Sequence, residues 1–390
     1  MDFNSAVENA YAVGDPRNVV SVGVMGTARI ARSHLWGIQG LEGVKVHAVA
    51  SRSIEKANAF ADEFGIPTRY GKYEDLLKDD KIDAVYIPLP SSLHLEWVVK
   101  AAKCNKHVLL EKPCAWNSDE LLTMLETCRE NKVKFMDTVF FMHHSRLKQI
   151  SQQLANASLG PDGPTHVLST FCFRGDESFF QNNIRVAAGL DKLGCLGDLA
   201  WYSIRIALFA FNWDLPETVS ATYVIEKDGV PFDMNGSMLW KSKAVDGCGI
   251  PIVRSTMFHC SFVHAWQEDV LISGQDGTLA FEDFVIPRST SHAPWFIRTN
   301  IDQTRKPSGM EWSFNQSEHN VGETKQERQL WQAFRNHVLN EDNKGAFWPG
   351  ISLLTQLCVD ALHQSAANHG AQTVVDPGHL WEKFTKLYNI

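Results

Sequence analysis

The chain of 390 residues is 44% hydrophobic and 21% charged, which is typical of a globular protein with two domains or one large one. Its formal net charge of -8 argues against the basic surface that binds nucleic acid or an acidic membrane, so we expect a small-molecule partner. The sequence has no run of 18 consecutive apolar residues, and its first residues lack the basic and apolar segments of a secretory signal. These features predict a soluble, cytoplasmic protein with no membrane partner.

Eight cysteines are scattered along the chain without Cys-x-x-Cys pairs. A chain of this length does not need a disulfide framework, so we interpret them as reduced thiols. The neighbouring His143 and His144 invite a metal interpretation, but adjacent residues on a strand point to opposite faces and the sequence offers no companion ligand cluster. We therefore predict no metal site.

Between residues 19 and 140 the sequence alternates between short apolar runs and amphipathic segments. The apolar runs are VVSVGVMG, VKVHAVA, IDAVYIPLP, KHVLLEKP and VKFMDTVF. The segments between them include ARIARSHLWGIQGL, SIEKANAFADEFG, LHLEWVVKAAKCN and NSDELLTMLETCRENK. Strands that alternate with helices of about ten to fifteen residues indicate a parallel sheet with helices on both faces. Residues 19–140 are thus predicted to form a doubly wound α/β domain, preceded by an N-terminal extension of residues 1–18.

The first strand-to-helix turn, GVMGTARIA, resembles the dinucleotide fingerprint G-x-G-x-x-G/A. Small residues at those positions let backbone amides and a helix N-terminus approach a pyrophosphate. Ala28 departs from the pattern, since the middle position is normally glycine. The turn still predicts a cofactor site that contains Gly26, Thr27, Ala28, Arg29 and Ile30.

The end of the second strand, ASRSIEK, indicates which dinucleotide is favoured. A carboxylate there would bind the adenosine ribose of NAD, whereas an arginine accommodates the 2′-phosphate of NADP. The stretch offers Ser51, Arg52 and Lys56 and no carboxylate up to residue 53. It therefore favours NADP, with NAD still possible; the alternative is that Arg52 is only a solvated residue at a helix start.

The stretch HVLLEKPC ends an apolar run with Glu111, Lys112 and Pro113. Open α/β sheets bind ligands beyond the carboxyl ends of their strands, so we expect Lys112 to face a cleft. We expect Glu111 to be hydrogen-bonded in the domain interior, because an unpaired buried charge is costly.

From about residue 145 the pattern becomes rich in β-structure, with Gly and Asp-Gly turns. The segments are THVLSTFCFRG, TVSATYVIEKDG, SMLWKSKAVDG, VRSTMFHCSFVHA and DVLISGQDGTLAFEDFVIP. Two late helices, GETKQERQLWQAFRNHVLN and ISLLTQLCVDALHQSAANHG, have apolar faces that would cover a domain surface. Residues 141–390 are thus predicted to form an α+β domain with a large, mostly antiparallel sheet.

One helical segment in this second half, DLAWYSIRIALF, carries polar groups of interest. Asp198 and Tyr202 are four residues apart, so on a helix they share a face. Taken alone, Asp198 is more typical of a helix cap and Tyr202 of a packed aromatic residue. Their occurrence together, after a dinucleotide-type domain, favours a functional pair.

The motifs GVMGTARIA, IPLPSSLH, HVLLEKP and GCLGDLAWY together resemble the Gfo/Idh/MocA oxidoreductase family, in this order and over nearly the whole chain. The resemblance implies a Rossmann domain followed by a substrate-binding and oligomerisation domain with an open-faced sheet. It also implies a homo-oligomer, with a dimer favoured, a C-terminal helix that can pack back on the Rossmann domain, and a cis peptide bond between Lys112 and Pro113.

The same resemblance assigns roles to individual residues. Lys112 would contact the substrate and the nicotinamide ribose, and Tyr202 would be the proton donor or acceptor, with Asp198 beside it. Tyrosine at this position is similar to the branch that contains glucose-fructose oxidoreductase, dimeric dihydrodiol dehydrogenase and NADP-dependent xylose dehydrogenase, and GDLAWYSIR especially resembles uncharacterised plant members. The residues expected beside the cofactor in the later motifs are Pro88, Leu89, Pro90, His94, Glu111 and Lys112.

These features predict hydride transfer between NADP and a hydroxyl or carbonyl carbon of a sugar, polyol or cyclic diol. Lys112 is expected to favour the phenolate of Tyr202 and so to make it a better base. Arg185 is a further candidate substrate contact, with a structural salt bridge equally compatible with the sequence. Two alternatives stay open: a dinucleotide-binding regulator without turnover, and an enzyme that oxidises one sugar and reduces another with tightly bound NADP.

Overall fold

The computed structural model describes residues 18–245, 249–306, 309–322, 325–340 and 345–390. The predicted N-terminal extension therefore lies outside the described residues, except for Asn18. The carbonyl oxygen of Asn18 accepts hydrogen bonds from the Arg335 guanidinium at 2.8 and 3.1 Å.

The first sheet has six strands in the order β3-β2-β1-β4-β5-β6, and all of its pairs are parallel. The strands are β1 (Val20–Met25), β2 (Val44–Ala50), β3 (Thr68–Tyr70), β4 (Ala84–Ile87), β5 (His107–Leu110) and β6 (Phe135–Asp137). The two central strands β1 and β4 are almost wholly buried, as apolar runs covered on both faces must be. The predicted doubly wound Rossmann sheet is confirmed.

Helices connect these strands on both faces. They are α1 (Arg29–Gly37), α2 (Ile54–Phe64), α3 (Tyr73–Leu77), α4 (His94–Lys103), α5 (Ser118–Glu130) and α6 (Ser145–Ala155). The Asn117 side chain accepts a hydrogen bond from the Glu120 amide at 2.9 Å and so caps α5. Ser53 caps α2 in the same way, through the amide of Lys56.

The second sheet has nine strands in the order β14-β13-β12-β11-β7-β10-β9-β8-β15. They are β7 (Pro164–Arg174), β8 (Thr218–Lys227), β9 (Val230–Val245), β10 (Pro251–Ser261), β11 (Val263–Gly274), β12 (Gly277–Phe281), β13 (Ala293–Lys306), β14 (Gly309–Val321) and β15 (Thr373–Val374). Strands β7 and β10 are parallel and the other pairs are antiparallel. The prediction of a large, mostly antiparallel sheet is confirmed.

The segment VRSTMFHCSFVHA, interpreted above as one β-rich unit, divides at Phe262 into β10 and β11. These two strands lie on opposite sides of β7. The Phe262 amide donates to the Phe232 carbonyl at 2.7 Å, and its carbonyl accepts from Gly175 at 2.8 Å. The chain therefore crosses the end of β7 at Phe262, which the strand pattern alone does not show.

The remaining helices are α7 (Glu177–Asn182), α8 (Trp201–Ala210), α9 (Gln326–Leu339), α10 (Phe347–Ala367) and α11 (Gly378–Tyr388). The C-terminal helix α11 lies against α5, where Arg129 donates to the Leu387 carbonyl at 3.1 Å and stacks on Tyr388. Within the described ranges, no helix is both long enough and apolar enough to cross a bilayer.

A buried carboxylate links the Rossmann sheet to helices α8 and α10. Asp137, at the end of β6, accepts hydrogen bonds from Arg205 of α8 at 2.6 Å and from Ser352 of α10 at 2.7 Å. All three residues are at most 1% exposed, so the Asp137 carboxylate and the Arg205 guanidinium satisfy one another away from water. This pair fixes α8, which carries Tyr202, against the Rossmann sheet.

Candidate active site

The turn after β1 has the backbone that a dinucleotide fingerprint requires. Gly26 has φ of +123°, and a Cβ there would approach Leu89 Cδ2 to 3.2 Å and the Pro88 carbonyl to 3.6 Å. The backbone conformation therefore favours glycine at this position, and a Cβ would also require Leu89 to shift by a few tenths of an ångström. The loop of residues 88–90 after β4 lies against the turn, which brings these two predicted cofactor segments together.

Ala28 stands immediately before α1 and is compatible with the same role. Its backbone angles, φ -64° and ψ 156°, are ordinary extended values that any residue adopts, so glycine is not needed for conformation. Its side chain does not cap the helix, which leaves the first amides of α1, beginning at Arg29, to an anion. The turn therefore fits a pyrophosphate despite the departure from glycine.

Two exposed cations follow the second strand. Arg52 and Lys56 are both exposed, and the Arg52 guanidinium lies beside the Tyr73 hydroxyl. Burial raises the pKa of Tyr73, and the charge of Arg52 partly offsets that rise. Ser51 is buried and its hydroxyl accepts from the Ser53 amide at 3.3 Å. This combination suits the 2′-phosphate of NADP better than a ribose hydroxyl.

His94 begins helix α4 and connects two loops. Its Nδ1 lies 3.0 Å from the Cys114 carbonyl and its Nε2 lies 2.8 Å from the Leu89 carbonyl. Burial lowers the pKa of His94, and a neutral imidazole can donate to only one of these oxygens. His94 thereby holds the β4 loop against the turn that follows Lys112, and its predicted closeness to the cofactor stays a prediction.

Lys112 lies at the carboxyl end of β5 and makes the central contact of the site. The bond between Lys112 and Pro113 is cis, as expected. The Lys112 Nζ donates to the Asp198 Oδ1 at 2.5 Å and to the Asp198 carbonyl at 2.7 Å. Gly197 permits this approach, since a Cβ there would lie 3.0 Å from Pro113 Cγ. The predicted pair of Lys112 and Asp198 is therefore a direct ion pair between the two domains.

Asp198 is not the helix cap that its position in the sequence suggests. Helix α8 begins at Trp201, and Asp198 lies in a π-helical turn, Leu196–Ala200, that precedes it. Its Oδ1 also accepts from Arg185 Nε at 2.8 Å. Burial alone would raise the pKa of Asp198, but Arg185 and Lys112 outweigh burial and hold the pKa below its ordinary value. The group is an ionised carboxylate between two cations.

Tyr202 lies beside this ion pair, but its predicted ionisation is wrong. The Lys112 Nζ is 4.9 Å from the centre of the Tyr202 ring. Burial, followed by the negative charges of Asp198 and Glu111, raises the pKa of Tyr202 well above its ordinary value. Arg185 opposes this rise but is outweighed, so the expected lowering of the Tyr202 pKa by a neighbouring cation does not occur. Tyr202 is a neutral phenol that can donate a proton.

Glu111 has the interior hydrogen bonds predicted for it. Its Oε1 accepts from the Tyr86 hydroxyl at 2.5 Å and lies 3.2 Å from His34 Nε2. Trp331 Nε1 can only donate, and it lies 2.9 Å from His34 Nδ1, so the N–H of a neutral His34 is on Nε2 and donates to Glu111. Burial would raise the pKa of Glu111, but these hydrogen bonds, led by that of His34, hold it below its ordinary value.

Sequence reasoning missed Asp191, which the structure brings to the same site. Asp191 is 4% exposed, and within the described residues its Oδ1 has no hydrogen-bond partner. Burial and the negative charge of Asp198 raise the pKa of Asp191 to about 7, against the opposing effect of Lys112 and Arg185. The sequence feature that could have indicated this residue is the aspartate of the segment GLDKLG, seven positions before Asp198.

The segment that carries Asp191 rests on the Rossmann domain near the β4 loop. The preceding carbonyl, that of Leu190, accepts from Ser91 Oγ and from the Ser92 amide, both at 3.2 Å. Ser91 Oγ in turn accepts from Trp116 Nε1 at 2.9 Å. The backbone next to Asp191 is thus held by a contact between the second domain and the loop that follows β4.

The site therefore places a neutral phenol and a set of paired charges at the carboxyl edge of the Rossmann sheet. A family model described as "Oxidoreductase family, NAD-binding Rossmann fold" matches residues 20–138. Over 292 residues the chain is 31% identical to the dTDP-3,4-didehydro-2,6-dideoxy-alpha-D-glucose 3-reductase of Streptomyces violaceoruber, covering 74% of this chain and 78% of that protein. The chain belongs to the Gfo/Idh/MocA oxidoreductase family. The predicted family resemblance is confirmed.

Other members of the family are similar over shorter stretches or in structure. D-xylose 1-dehydrogenase (NADP(+)) 2 of Haloferax volcanii is 37% identical over 57% of this chain and 66% of its own length, so the match leaves about a third of that relative uncovered. The crystal structure of a 3-ketoreductase from Actinomadura kijaniata, in complex with NADP and TDP-benzene, superimposes with a TM-score of 0.74. That match has 26% identity and covers 89% of this chain and 98% of the ketoreductase.

Proposed function

We propose that the chain catalyses reversible hydride transfer between NADP(H) and the hydroxyl or carbonyl carbon of a sugar, polyol or cyclic diol. The observation that carries the proposal is the contact of Lys112 with both Asp198 and Tyr202 at the carboxyl end of β5. Open α/β sheets bind their ligands at this edge. The named activities of the family relatives, a xylose dehydrogenase and a ketosugar reductase, support the substrate class.

The cofactor would lie along the first half of the Rossmann sheet. The turn at Gly26 and the free amides of α1 would receive its pyrophosphate, and Arg52 and Lys56 its 2′-phosphate. When bound, the nicotinamide supplies the hydride. The complex of the Actinomadura kijaniata ketoreductase with NADP supports NADP as the cofactor.

Tyr202 would handle the proton of the reaction. A neutral phenol can donate a hydrogen bond to a substrate carbonyl and pass its proton to the oxygen as hydride reaches the carbon. Its raised pKa keeps Tyr202 protonated near neutral pH, which is the state that donates to the carbonyl oxygen when the substrate is reduced. Of the two roles that the family resemblance implied for Tyr202, proton donor or acceptor, the raised pKa favours the donor.

Lys112 and Arg185 would bind and orient the substrate. Asp198 fixes the Lys112 ammonium through two hydrogen bonds, and the side chain of Arg185 is 37% exposed, so both cations can present further N–H groups to hydroxyl oxygens. Asp198 accepts from both, which sets their separation. A polyhydroxylated substrate offers the acceptors that such donors need.

We also propose a homodimer that uses the outer face of the second sheet. Leu168 and Met257, opposite one another on β7 and β10, are 38% and 56% exposed, and Val253 on the same face is 44% exposed. Neighbouring apolar side chains on one sheet face favour a protein partner. Sedimentation of the purified chain tests this proposal, and a monomer at micromolar concentration would refute it.

The reaction is tested by following NADPH absorbance with a panel of ketosugars, aldoses, polyols and trans-dihydrodiols. We expect turnover with at least one carbonyl sugar, and faster turnover with NADPH than with NADH. Saturable NADPH binding without turnover on the panel would favour the regulator alternative. NADP absorbance that survives desalting would favour the sugar-to-sugar oxidoreductase.

A further inference from the structure

Three side chains capable of binding a metal converge on the second sheet, away from the redox site. They are Asp233 on β9, His259 on β10 and His264 on β11, and we call them the outer-face cluster. On β7, Phe171 packs against Tyr202 on the inner face with ring centres 5.6 Å apart. The next residue, Cys172, lies beside the cluster, which places the cluster on the opposite face.

Strand register explains how these residues meet. Asp233 pairs with Ser261 and His259 pairs with Asn235, so Asp233 and His259 are diagonal neighbours on adjacent strands. The chain then crosses the end of β7 at Phe262, and His264, two residues later, lies next to Asp233 and His259. The cluster is therefore built by the crossover that separates β10 from β11.

The donor atoms are close together. His259 Nε2 lies 2.8 Å from Asp233 Oδ1, and His264 Nε2 lies 3.2 Å from Asp233 Oδ2. The three ligand atoms all lie within 4.8 Å of one another. At Zn–N and Zn–O bond lengths of about 2.0–2.2 Å, two ligands of a tetrahedral ion are roughly 3.4 Å apart. Small side-chain adjustments would therefore place all three atoms around one ion.

The charge and burial of Asp233 also favour a cation. Asp233 is 3% exposed, and its two oxygens each face an imidazole and no Lys or Arg within salt-bridge distance among the described residues. Buried carboxylates are normally paired with a cation or bound to a metal. The His264 side chain is 57% exposed in the single chain, so an ion can reach the cluster before the outer face associates with a second copy.

A second contact orients one ligand as in known metal sites. His259 turns its other nitrogen, Nδ1, toward the Cys172 sulfur at 3.6 Å. Metal-bound imidazoles usually donate their remaining N–H to a neighbouring acceptor. An ion bound at Nε2 would replace the N–H that His259 donates to Asp233 and leave the ring's N–H on Nδ1, facing the Cys172 sulfur. The Cys172 sulfur is a weak acceptor for an N–H on Nδ1.

We propose that Asp233, His259 and His264 form a binding site for one divalent ion of the zinc class. Two imidazoles and one carboxylate are typical ligands of this ion, and three protein ligands leave a position for water. The sequence analysis did not find this site because its three ligands lie on three different strands. It considered His143 and His144 instead, because those two histidines are consecutive in the sequence. The proposal does not depend on the proposed reaction.

The test is zinc binding by the full chain, purified without a histidine tag and stripped with a chelator. Isothermal titration with zinc chloride should show one tight site per chain. His264→Gln, at an exposed position that leaves folding intact, should weaken that site by about tenfold or more, and His259→Gln likewise. His166→Gln is the matched control, because His166 lies on β7 and binds Ser255 at 2.8 Å but is not in the cluster.

Circular dichroism melting of each variant confirms that it is folded before titration. A wild-type chain that binds no zinc at micromolar concentration would overturn the proposal. Equal zinc affinity in wild type, His264→Gln and His259→Gln would overturn it as well, because the bound ion would then lie elsewhere. The proposal would also be overturned if His166→Gln lost zinc binding while His264→Gln and His259→Gln kept it.

Discussion

Lys112 and Asp198 are joined twice across the boundary between the two domains. The ammonium of Lys112 donates to the Asp198 side chain at 2.5 Å and to the Asp198 backbone carbonyl at 2.7 Å. The side chains of Lys112 and Asp198 are only 9% and 8% exposed, so water replaces neither contact easily. These two hydrogen bonds therefore tie the second domain to the end of β5, at the same ammonium group that lies over the Tyr202 ring.

Replacing Lys112 with methionine should reduce both activity and stability. The variant keeps the aliphatic volume but removes one of the two cations that compensate Asp198, which costs about 1–3 kcal/mol of unfolding free energy for a buried group that loses its partner. Turnover should fall at least about a hundredfold, because the substrate loses a positioned donor. Thermal unfolding and NADPH-linked rates measure the two effects.

The control for that change is Lys100→Met. Lys100 pairs with Glu96 at 2.6 Å, but both side chains are exposed, so the pair should contribute little to stability. Equal losses of activity in Lys100→Met and Lys112→Met would show that the effect of Lys112 is not specific to the site.

Arg52→Gln should change cofactor preference rather than catalysis. A charge-assisted hydrogen bond contributes about 1.5–3 kcal/mol, so loss of a contact to the 2′-phosphate should weaken NADPH binding about tenfold or more. NADH binding should be nearly unchanged. Fluorescence titration of both cofactors measures this, with Arg69→Gln as the control, since Arg69 is a surface residue of the same domain paired with Asp62 at 2.6 Å. Parallel losses for NADPH and NADH would contradict the assignment.

Asp191→Asn should alter the pH dependence of both stability and activity. Folding raises the pKa of Asp191 from 3.8 to about 7, so the folded chain binds more protons than the unfolded chain between these values. The contribution of Asp191 to stability is therefore present at low pH and is lost as the pH rises toward 7. The variant should be more stable relative to wild type at pH 7 than at pH 4, as measured by urea unfolding.

The activity profile separates a role in the site from a role in folding. Because Asp191 shares the site with Lys112, Arg185 and Asp198, the pH profile of kcat/KM should lose an inflection near neutrality in Asp191→Asn. Asp360→Asn is the control: burial also raises the pKa of Asp360, but this residue binds Ser118, so only the stability profile should change. Identical activity profiles for Asp191→Asn and wild type would limit Asp191 to a structural role.

The Rossmann half of the fold was predictable because its central strands are buried on both faces and helices α2 and α5 begin with a capping side chain. The run before Gly26 and the Asn117 cap are examples of such local signals. Lys112 could be placed at the cleft because it follows the carboxyl end of a parallel strand, where open α/β sheets bind ligands. This inference needs only the direction of the strand and no knowledge of residues that are distant in the sequence.

The second half was less predictable because its elements depend on long-range pairing. Strands β13 and β14 form a long hairpin that was not predicted, although Met310, Trp312 and Phe314 alternate with polar residues along β14. The described side chains of β14 are mostly exposed, so the strand adds little to a core. The crossing at Phe262 is fixed by contacts with Phe232 and Gly175, both far away in the sequence.

Charges in the site were the least predictable feature. Lys112 was expected to promote ionisation of Tyr202, but that inference took account only of the positive charge of Lys112 and of no other group near the phenol. Asp198 accepts from Lys112 directly, and burial opposes the phenolate, so the pKa of Tyr202 rises instead. A sequence shows which charged residues are present but not how they are paired.

The central claim, that Tyr202 moves the proton of an NADPH-dependent carbonyl reduction, is tested most directly with Tyr202→Phe. The change removes only the hydroxyl, so turnover should fall about a hundredfold to ten-thousandfold while NADPH affinity stays nearly the same. Tyr223→Phe, which loses a hydrogen bond to His363 on another part of the substrate domain, is the control and should keep its activity. A Tyr202→Phe enzyme that reduces every wild-type substrate at the wild-type rate would contradict the account.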